Sequence, residues 1–200
     1  MRVLVYQAHP GAVHSMANKA MNAATQSVEG ITFVDLYAEY PRFDIDVARE
    51  QDRLLAHDAI LFQYPLFWYS TPSLIKEWQD LVLQHGFAYG REGRALAGKY
   101  WSMGITCGAP QEAYGAAGYN GFDLRTLLTP MEQTARLCHM RFLSPYVLYG
   151  ALEKRENGGL GPHAEGWRRW LIGLRDDRVL LEKANALDVV QEHDLNEVIQ

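Results

Sequence analysis

Only two cysteines, Cys107 and Cys138, occur in 200 residues, and neither belongs to a CxxC pair or to a Cys/His spacing that holds structural zinc. A disulfide framework is thereby excluded, no metal site is expected, and the chain reads as a protein of a reducing compartment. Long apolar runs are also missing. No uncharged stretch of about 18 residues is present to span a bilayer, and the opening Met1-Arg2-Val3-Leu4-Val5-Tyr6 is too short for a signal peptide. The expectation is a soluble, cytoplasmic protein. Nor is there a basic excess: 19 Lys and Arg stand against 24 Asp and Glu, a net charge of -5. Without a basic surface to release counterions, nucleic acid is not an expected partner.

Apolar side chains make up 48% of the chain and aromatics 12%, enough for a domain with a sizeable core. Five short apolar runs look like strands: Val3-Leu4-Val5-Tyr6, Thr32-Phe33-Val34, Ala59-Ile60-Leu61-Phe62, Trp101-Ser102-Met103-Gly104-Ile105 and Pro145-Tyr146-Val147-Leu148-Tyr149. Most lack clean alternation, which suits strands buried on both faces of a parallel sheet. Between them helices are predicted over 15–27, 47–56, 72–83, 124–137 and 163–174. Ser15 can cap the first, and Thr71-Pro72 sets a hydroxyl beside a proline at the start of the third. Leu74, Ile75, Trp78, Leu81 and Val82 then form one apolar stripe that would cover a sheet face. Five βα units in residues 1–175 predict a three-layer, doubly wound α/β fold of the flavodoxin-like kind, with a five-stranded parallel sheet in the order 2-1-3-4-5. The connections 108–122 and 150–162 are long for a compact domain and read as functional or mobile loops.

In such a sheet, ligands bind beyond the carboxyl ends of the strands. Three stretches lie there. The first, from Gln7 to Asn18, could present backbone N–H groups to a phosphate at a helix start, although it lacks both GxGxxG and GxxxxGK[ST] and is equally an ordinary turn capped by Ser15. The second, Gln63-Tyr64-Pro65-Leu66-Phe67-Trp68-Tyr69-Ser70-Thr71-Pro72, packs two prolines and four aromatics into a strand end. Rings there could wall the pocket of a flat aromatic ligand, or serve as a subunit interface or core plug. The third, Thr106-Cys107-Gly108-Ala109-Pro110, ends a strand in a glycine that lets a ligand approach the backbone. A lone Cys107 with no base beside it reads as a packed side chain and not a nucleophile.

The aromatic loop, with Pro72, Lys76-Glu77-Trp78 and His85-Gly86-Phe87-Ala88-Tyr89-Gly90 after it, resembles the flavodoxin-like NAD(P)H:quinone oxidoreductases. In particular it is similar to the bacterial ancillary flavoproteins of glutathione-gated potassium-efflux systems. The likeness runs from His9-Pro10 and Ser15-Met16-Ala17-Asn18, through Leu36-Tyr37 and Phe43-Asp44-Ile45-Asp46, to Thr106-Cys107-Gly108, Gly118-Tyr119-Asn120-Gly121-Phe122 and Leu143-Ser144-Pro145, and so covers residues 1–175.

This resemblance implies a noncovalently held flavin, FMN by likeness to the smaller bacterial members, with FAD the alternative. His9 and Ser15, Met16, Ala17 and Asn18 would take its phosphate or ribityl side. Pro65, Leu66, Phe67, Trp68 and Tyr69 would lie along the isoalloxazine, and Thr106, Cys107, Gly108 and Ala109 would meet its pyrimidine edge. The family's Thr-Thr-Gly-Gly stands here as Thr106-Cys107-Gly108-Ala109, one hydroxyl poorer and one methyl richer. The implied reaction is a two-step hydride relay, from NAD(P)H to the flavin and then to a quinone or related electrophile in the same position. Tyr114 aligns with a tyrosine of the mammalian quinone reductases, whereas their histidine position holds Asn120, which cannot supply a proton. Tyr114 and Tyr119 are therefore the candidate catalytic residues. Because family members are generally homodimers, segments 67–69 and 87–89 are expected at a subunit boundary or in the core. The alternative function is regulatory: an ancillary subunit that binds and activates a glutathione-gated potassium-efflux antiporter, with or without turnover, peripheral at the inner membrane through that partner.

Beyond the resemblance, residues 176–200 hold seven acids and two bases, the whole of the net charge. They have no aromatic, Gly or Pro, and Leu180, Ala184 and Leu187 follow helical spacing. The expectation is an acidic C-terminal extension, either an amphipathic helix that meets a protein partner or a solvated tail. On that division a flavin-binding domain spans 1–175, and deletion of 176–200 should leave it intact.

Overall fold

Strands that are apolar on both faces must be covered on both, and the alternation of faces along each strand sets how this is done. The computed structural model describes residues 1–200. One parallel sheet holds β1 (Val3–Gln7), β2 (Ile31–Asp35), β3 (Ala59–Pro65), β4 (Tyr100–Thr106), β5 (Arg141–Phe142) and β6 (Tyr146–Leu148), in the order β2-β1-β3-β4-β5 with β6 also on β4. Leu4, Tyr6, Ile60 and Phe62 point to one face, where they meet helices α3 (Val47–Ala56), α4 (Ser73–Val82) and α6 (Thr129–Leu137). Val3, Val5, Ala59 and Leu61 point to the other, against α1 (Met16–Gln26) and α8 (Leu160–Arg175). Shorter helices are α2 (Leu36–Glu39), α5 (Leu124–Leu127), α7 (Ala151–Glu156), α9 (Leu181–Asn185) and α10 (Leu195–Val198). None is long and apolar enough to cross a membrane.

Four tryptophans anchor the two interiors, Trp78 and Trp101 on one face and Trp167 and Trp170 on the other, all fully buried. Truncating one buried aromatic of this size costs about 3–5 kcal/mol. Trp167 lies so close over β4 that a Cβ on Gly104 would sit 2.7 Å from its ring, so only glycine fits there. A carboxylate is buried as well. Glu50 accepts from the Tyr6 hydroxyl, from Tyr40 at 2.6 Å and from the Trp78 indole at 3.0 Å, and it pairs with Arg53. Full pairing is what makes a buried charge tolerable.

Three sequence expectations need correction. The fifth strand expected at 145–149 is present as β6, paired with Gly104 through Thr106, but it is preceded by an unexpected short strand, β5, which pairs with Tyr100 and Trp101. Between them lie Leu143, Ser144 and Pro145, the last with no N–H to give a ladder. The segment 150–162 is not structureless, since it contains α7 and the first turn of α8, where Pro162 falls among positions whose N–H groups have no intrahelical partner. Residues 176–200 are neither one helix nor a solvated tail. Ala184, Val190, Leu195 and Val198 are buried with Val3, Val5 and Trp170, so the boundary drawn at 175 runs through a packed interior.

The segment is also tied to the sheet. Val190 donates to the Pro145 carbonyl at 2.8 Å and accepts from Val147 N–H at 2.9 Å. The Asn185 amide accepts from Ser144 N–H at 3.0 Å and donates to the Phe142 carbonyl at 3.2 Å, which fills the gap between β5 and β6 with side-chain hydrogen bonds.

Candidate functional site

Register decides which loops meet. Gln7 lies beside Gln63, and Pro65 beside Thr106, so the chain leaves β1, β3 and β4 along one edge. From β1 it passes buried Ala8 and buried His9, whose Nδ1 accepts from Gly11 N–H at 3.0 Å. A 3-10 turn, Ala12–His14, leads to Ser15, which caps α1 by accepting from Asn18 N–H at 3.3 Å. With no acid in that first turn, the N–H groups of Met16 and Ala17 stand at a helix start that favours an anion. The Asn18 side-chain amide donates to both Ser15 Oγ and Thr106 Oγ1, each at 3.1 Å, which joins the first loop to the third; its own Oδ1 is buried without a partner. Burial lowers the pKa of His9, favouring its neutral form, and its ring meets the edge of Phe67 at 5.5 Å.

After β3 the aromatic segment forms a tight turn. Phe67 and Ser70 exchange backbone hydrogen bonds at 3.1 and 3.0 Å, and the two residues between them both have left-handed backbone, Trp68 at φ 49° and Tyr69 at φ 63°. Two consecutive non-glycine residues in this region cost about 1–2 kcal/mol each, and the result is to push the rings outward. Trp68 is 92% exposed and Tyr69 49%. Leu66 N–H is meanwhile fixed to the Thr106 carbonyl at 2.9 Å, so the turn sits directly beside the end of β4.

Across from it runs the 108–122 loop, closed on itself by Asn120 N–H to the Ala113 carbonyl at 3.0 Å and Gly115 N–H to the Phe122 carbonyl at 2.9 Å. A Cβ on Gly118 would sit 2.2 Å from the Ala113 oxygen, so this closure requires glycine. Between turn and loop is a cleft of about 230 Å³, with Leu66, Trp68 and Tyr69 on one side and Gly108, Ala109, Tyr114, Tyr119 and Asn120 on the other. A Cβ on Gly108 would meet nothing within 4 Å. The Asn120 Nδ2 amide is buried without a partner.

Tyr114 lines the cleft partly buried, 5.4 Å from the Tyr149 ring and near the Cys107 thiol. Burial, reinforced by that thiol, raises its pKa well above the ordinary tyrosine range, so the hydroxyl keeps its proton. Tyr119 is 78% exposed at the rim.

The structure thus brings most of the predicted residues to one edge, but not in equal roles. Met16, Phe67, Trp68, Tyr69 and Gly108 are open to solvent, Leu66 and Ala109 are half-buried, and Ala17, Asn18, Pro65 and Thr106 are buried beneath them. Cys107 is turned inward: its N–H donates to Leu148 at 2.7 Å, its carbonyl accepts from Ala151 at 2.9 Å, and burial pushes its thiol up to about 12. Both of its backbone groups are therefore engaged within the protein, while Gly108 beside it is exposed and Ala109 half-buried. Phe87 and Tyr89 pack against the first core. Sequence reasoning missed Tyr149, although its place at the end of an expected strand put it at this edge.

A family model for the flavodoxin-like fold matches residues 1–171. The glutathione-regulated potassium-efflux system ancillary protein KefG of Yersinia enterocolitica is 45% identical over 170 residues, 85% of this chain and 92% of that protein. Among solved structures, general stress protein 14 of Treponema denticola, crystallised in complex with FMN, has a TM-score of 0.82 at 33% identity, covering 87% of this chain and 99% of its own. An NADPH-quinone reductase from P. pentosaceus has a TM-score of 0.73 at 27% identity, covering 85% and 97%.

Proposed function

Because the chain belongs to the flavodoxin-like fold family, we propose that it is an oxidoreductase that oxidises NAD(P)H and reduces a quinone or related electrophile, with FMN as its flavin. The observation that carries this reading is the cleft in which an exposed aromatic turn faces the Gly108-Ala109 backbone, with the start of α1 at the same edge. The residues fit such a group: Gly108 leaves open space where a side chain would stand, and a buried Asn120 amide at the cleft wants an acceptor. When bound, the flavin supplies reversible two-electron hydride transfer.

Each part of the chain has a task in this reading. Ser15 Oγ and the N–H groups of Met16 and Ala17 bind the phosphate end, with Asn18 and neutral His9 beside them. Leu66, Trp68 and Tyr69 cover the ring and exclude water, Pro65 and Phe67 hold the turn, and Thr106 fixes Asn18. Gly108 and Ala109 present backbone to the ring's polar edge, and Tyr114 lines the same cleft. Tyr114 and Tyr119 hold protons beside the reacting quinone. The visible absorption spectrum tests this first. Purified protein should be yellow, release FMN on denaturation, and reduce a soluble quinone with ping-pong kinetics; a colourless protein that gains no activity with added FMN overturns it.

A second reading is favoured by the 45% identity to a potassium-efflux ancillary protein. Here the chain docks on a glutathione-gated antiporter, peripheral to the membrane, with or without turnover. Co-elution with the antiporter's cytoplasmic domain supports it, and separate elution at micromolar concentration counts against it. A Trp68→Ala protein that lost flavin yet still activated efflux would separate the two roles. For the homodimer, light scattering is the direct check, and the exposed turn at 67–69 is the surface we assign to it.

A further inference from the structure

Beside the redox cleft, past the carboxyl end of β6, lies a second and more enclosed cavity of about 250 Å³. Its wall comes from four parts of the chain: the 110–112 turn, residues 147–150 at the end of β6, α7 with the first turns of α8, and residues 191–193 of the C-terminal segment. Gln191 Nε2 donates to Gln111 Oε1 at 3.2 Å and pins the last of these to the first. The turn, α7 and the C-terminal segment contribute one carboxylate each, Glu112, Glu153 and Glu192, and Lys154 is the only lysine or arginine on the wall. None of the three carboxylates is in an ion pair, unlike neighbouring Glu156, which lies 4.0 Å from Arg155.

An acidic lining alone does not make a site. The second observation is His163. It is 97% buried, its ring is stacked 4.8 Å from Tyr146 within the wall of this cavity, and its Nε2 is buried with no hydrogen-bond partner in the protein. A buried ring nitrogen left unpaired costs about 1–3 kcal/mol, and the fold keeps it there although Phe would fill the same space. Burial and nearby Lys154 hold the imidazole neutral, its pKa pushed down to about 3.

We propose that this cavity is a binding site for a small organic cation, an alkylammonium or alkylguanidinium, whose N–H group donates to His163 Nε2 while its charge is met by Glu112, Glu153 and Glu192. A neutral imidazole accepts from such a donor, and the wall carries two more negative than positive charges once Lys154 is counted. An anion would meet three carboxylates and a ring nitrogen with no charge. The site stands apart from the flavin cleft and does not depend on it. Its wall at Gln111 belongs to the loop that carries Tyr114, so an occupant would brace that loop through the Gln111–Gln191 bond.

Isothermal titration of the full chain with agmatine and with putrescine tests this, with succinate as the anionic control. Saturable binding of one cation per chain is expected, weakened at least tenfold by Glu192→Gln and by His163→Phe, which keeps a ring on Tyr146 but removes the nitrogen. Circular dichroism and melting curves establish that both variants are folded. The proposal is overturned by an absence of saturable heat with either cation at millimolar concentration, by equal affinity in folded His163→Phe, or by tighter binding of succinate. A crystal grown with agmatine that held only water at Nε2 would overturn it equally.

Discussion

With its thiol pushed up to about 12 by burial, Cys107 should resist a thiol reagent at pH 8, and Cys138, pushed up to about 11 for the same reason, should resist with it. Neither should react at a measurable rate in folded protein, and both should react on unfolding; prompt labelling of Cys107 would mean that the end of β4 is open. Asn18 has a different part, because its amide is the link between loops 88 residues apart. Asn18→Ala should lower FMN affinity about tenfold, and stability by about 1 kcal/mol for the lost hydrogen bonds, as measured by flavin fluorescence titration and urea unfolding. His163 sets a pH dependence whose sign follows from its depressed value. Between the unfolded pKa near 6.5 and the folded one of about 3, the unfolded chain binds the extra proton, so stability falls as pH falls through that window. The slope approaches about 1.4 kcal/mol per pH unit for one proton, and His163→Phe should remove that one-proton component from the measured curve. Of Cys107, Asn18 and His163, the sequence placed the first two at the strand-end loops and read Cys107 as a packed side chain. The partner of Asn18 and the burial of His163 follow from residues brought near by the sheet and not by the chain.

The aromatic turn is an element under load. Trp68 and Tyr69 occupy left-handed backbone that glycine adopts freely, so replacing both by glycine should hold stability level or raise it by about 1 kcal/mol, while quinone reduction falls sharply. Differential scanning calorimetry and steady-state assay on the same preparation decide it; a folded double-glycine protein with full activity would remove the turn from the site. The opposite substitution, Gly104→Ala, places a methyl against the Trp167 ring and should cost about 1–3 kcal/mol by overpacking, read from chemical denaturation. Elements like β1, β3 and β4 were legible because both their faces are apolar and neither helix periodicity nor alternation competes. β5 was not legible, since only Arg141 and Phe142 pair in it and so short a stretch shows no periodicity. α7 was missed for a compositional reason: its six residues, Ala-Leu-Glu-Lys-Arg-Glu, are good helix formers, but glycines on both sides gave the stretch the look of a loop.

At the scale of the molecule, the excess negative charge and the second core turn out to share one segment. Residues 176–200 carry the whole net charge on their outer side while Val190, Leu195 and Val198 complete the interior around Trp170. At about 1.5–3 kcal/mol for each large apolar side chain buried, the segment supplies stabilisation comparable with the full margin of a domain. Deleting it should therefore lower the melting temperature by more than ten degrees or abolish soluble folding. A truncated protein that melted like the full chain would restore the division at residue 175. Helical spacing in the sequence could not reveal this, because Leu180, Ala184 and Leu187 fit one helix equally well whether it floats or packs, and the turns at 186–194 are set by contact with β6. That contact also governs how copies of the molecule can meet. A sheet has two margins, and here one of them, at β5 and β6, is closed by Val190 and the Asn185 amide, while β2 forms the other. With a single open margin, strand-to-strand contact between copies can only pair them off, two at a time, into a closed twofold unit. Were the C-terminal segment to detach, each molecule would offer two, and the same contact would become an open-ended polymer.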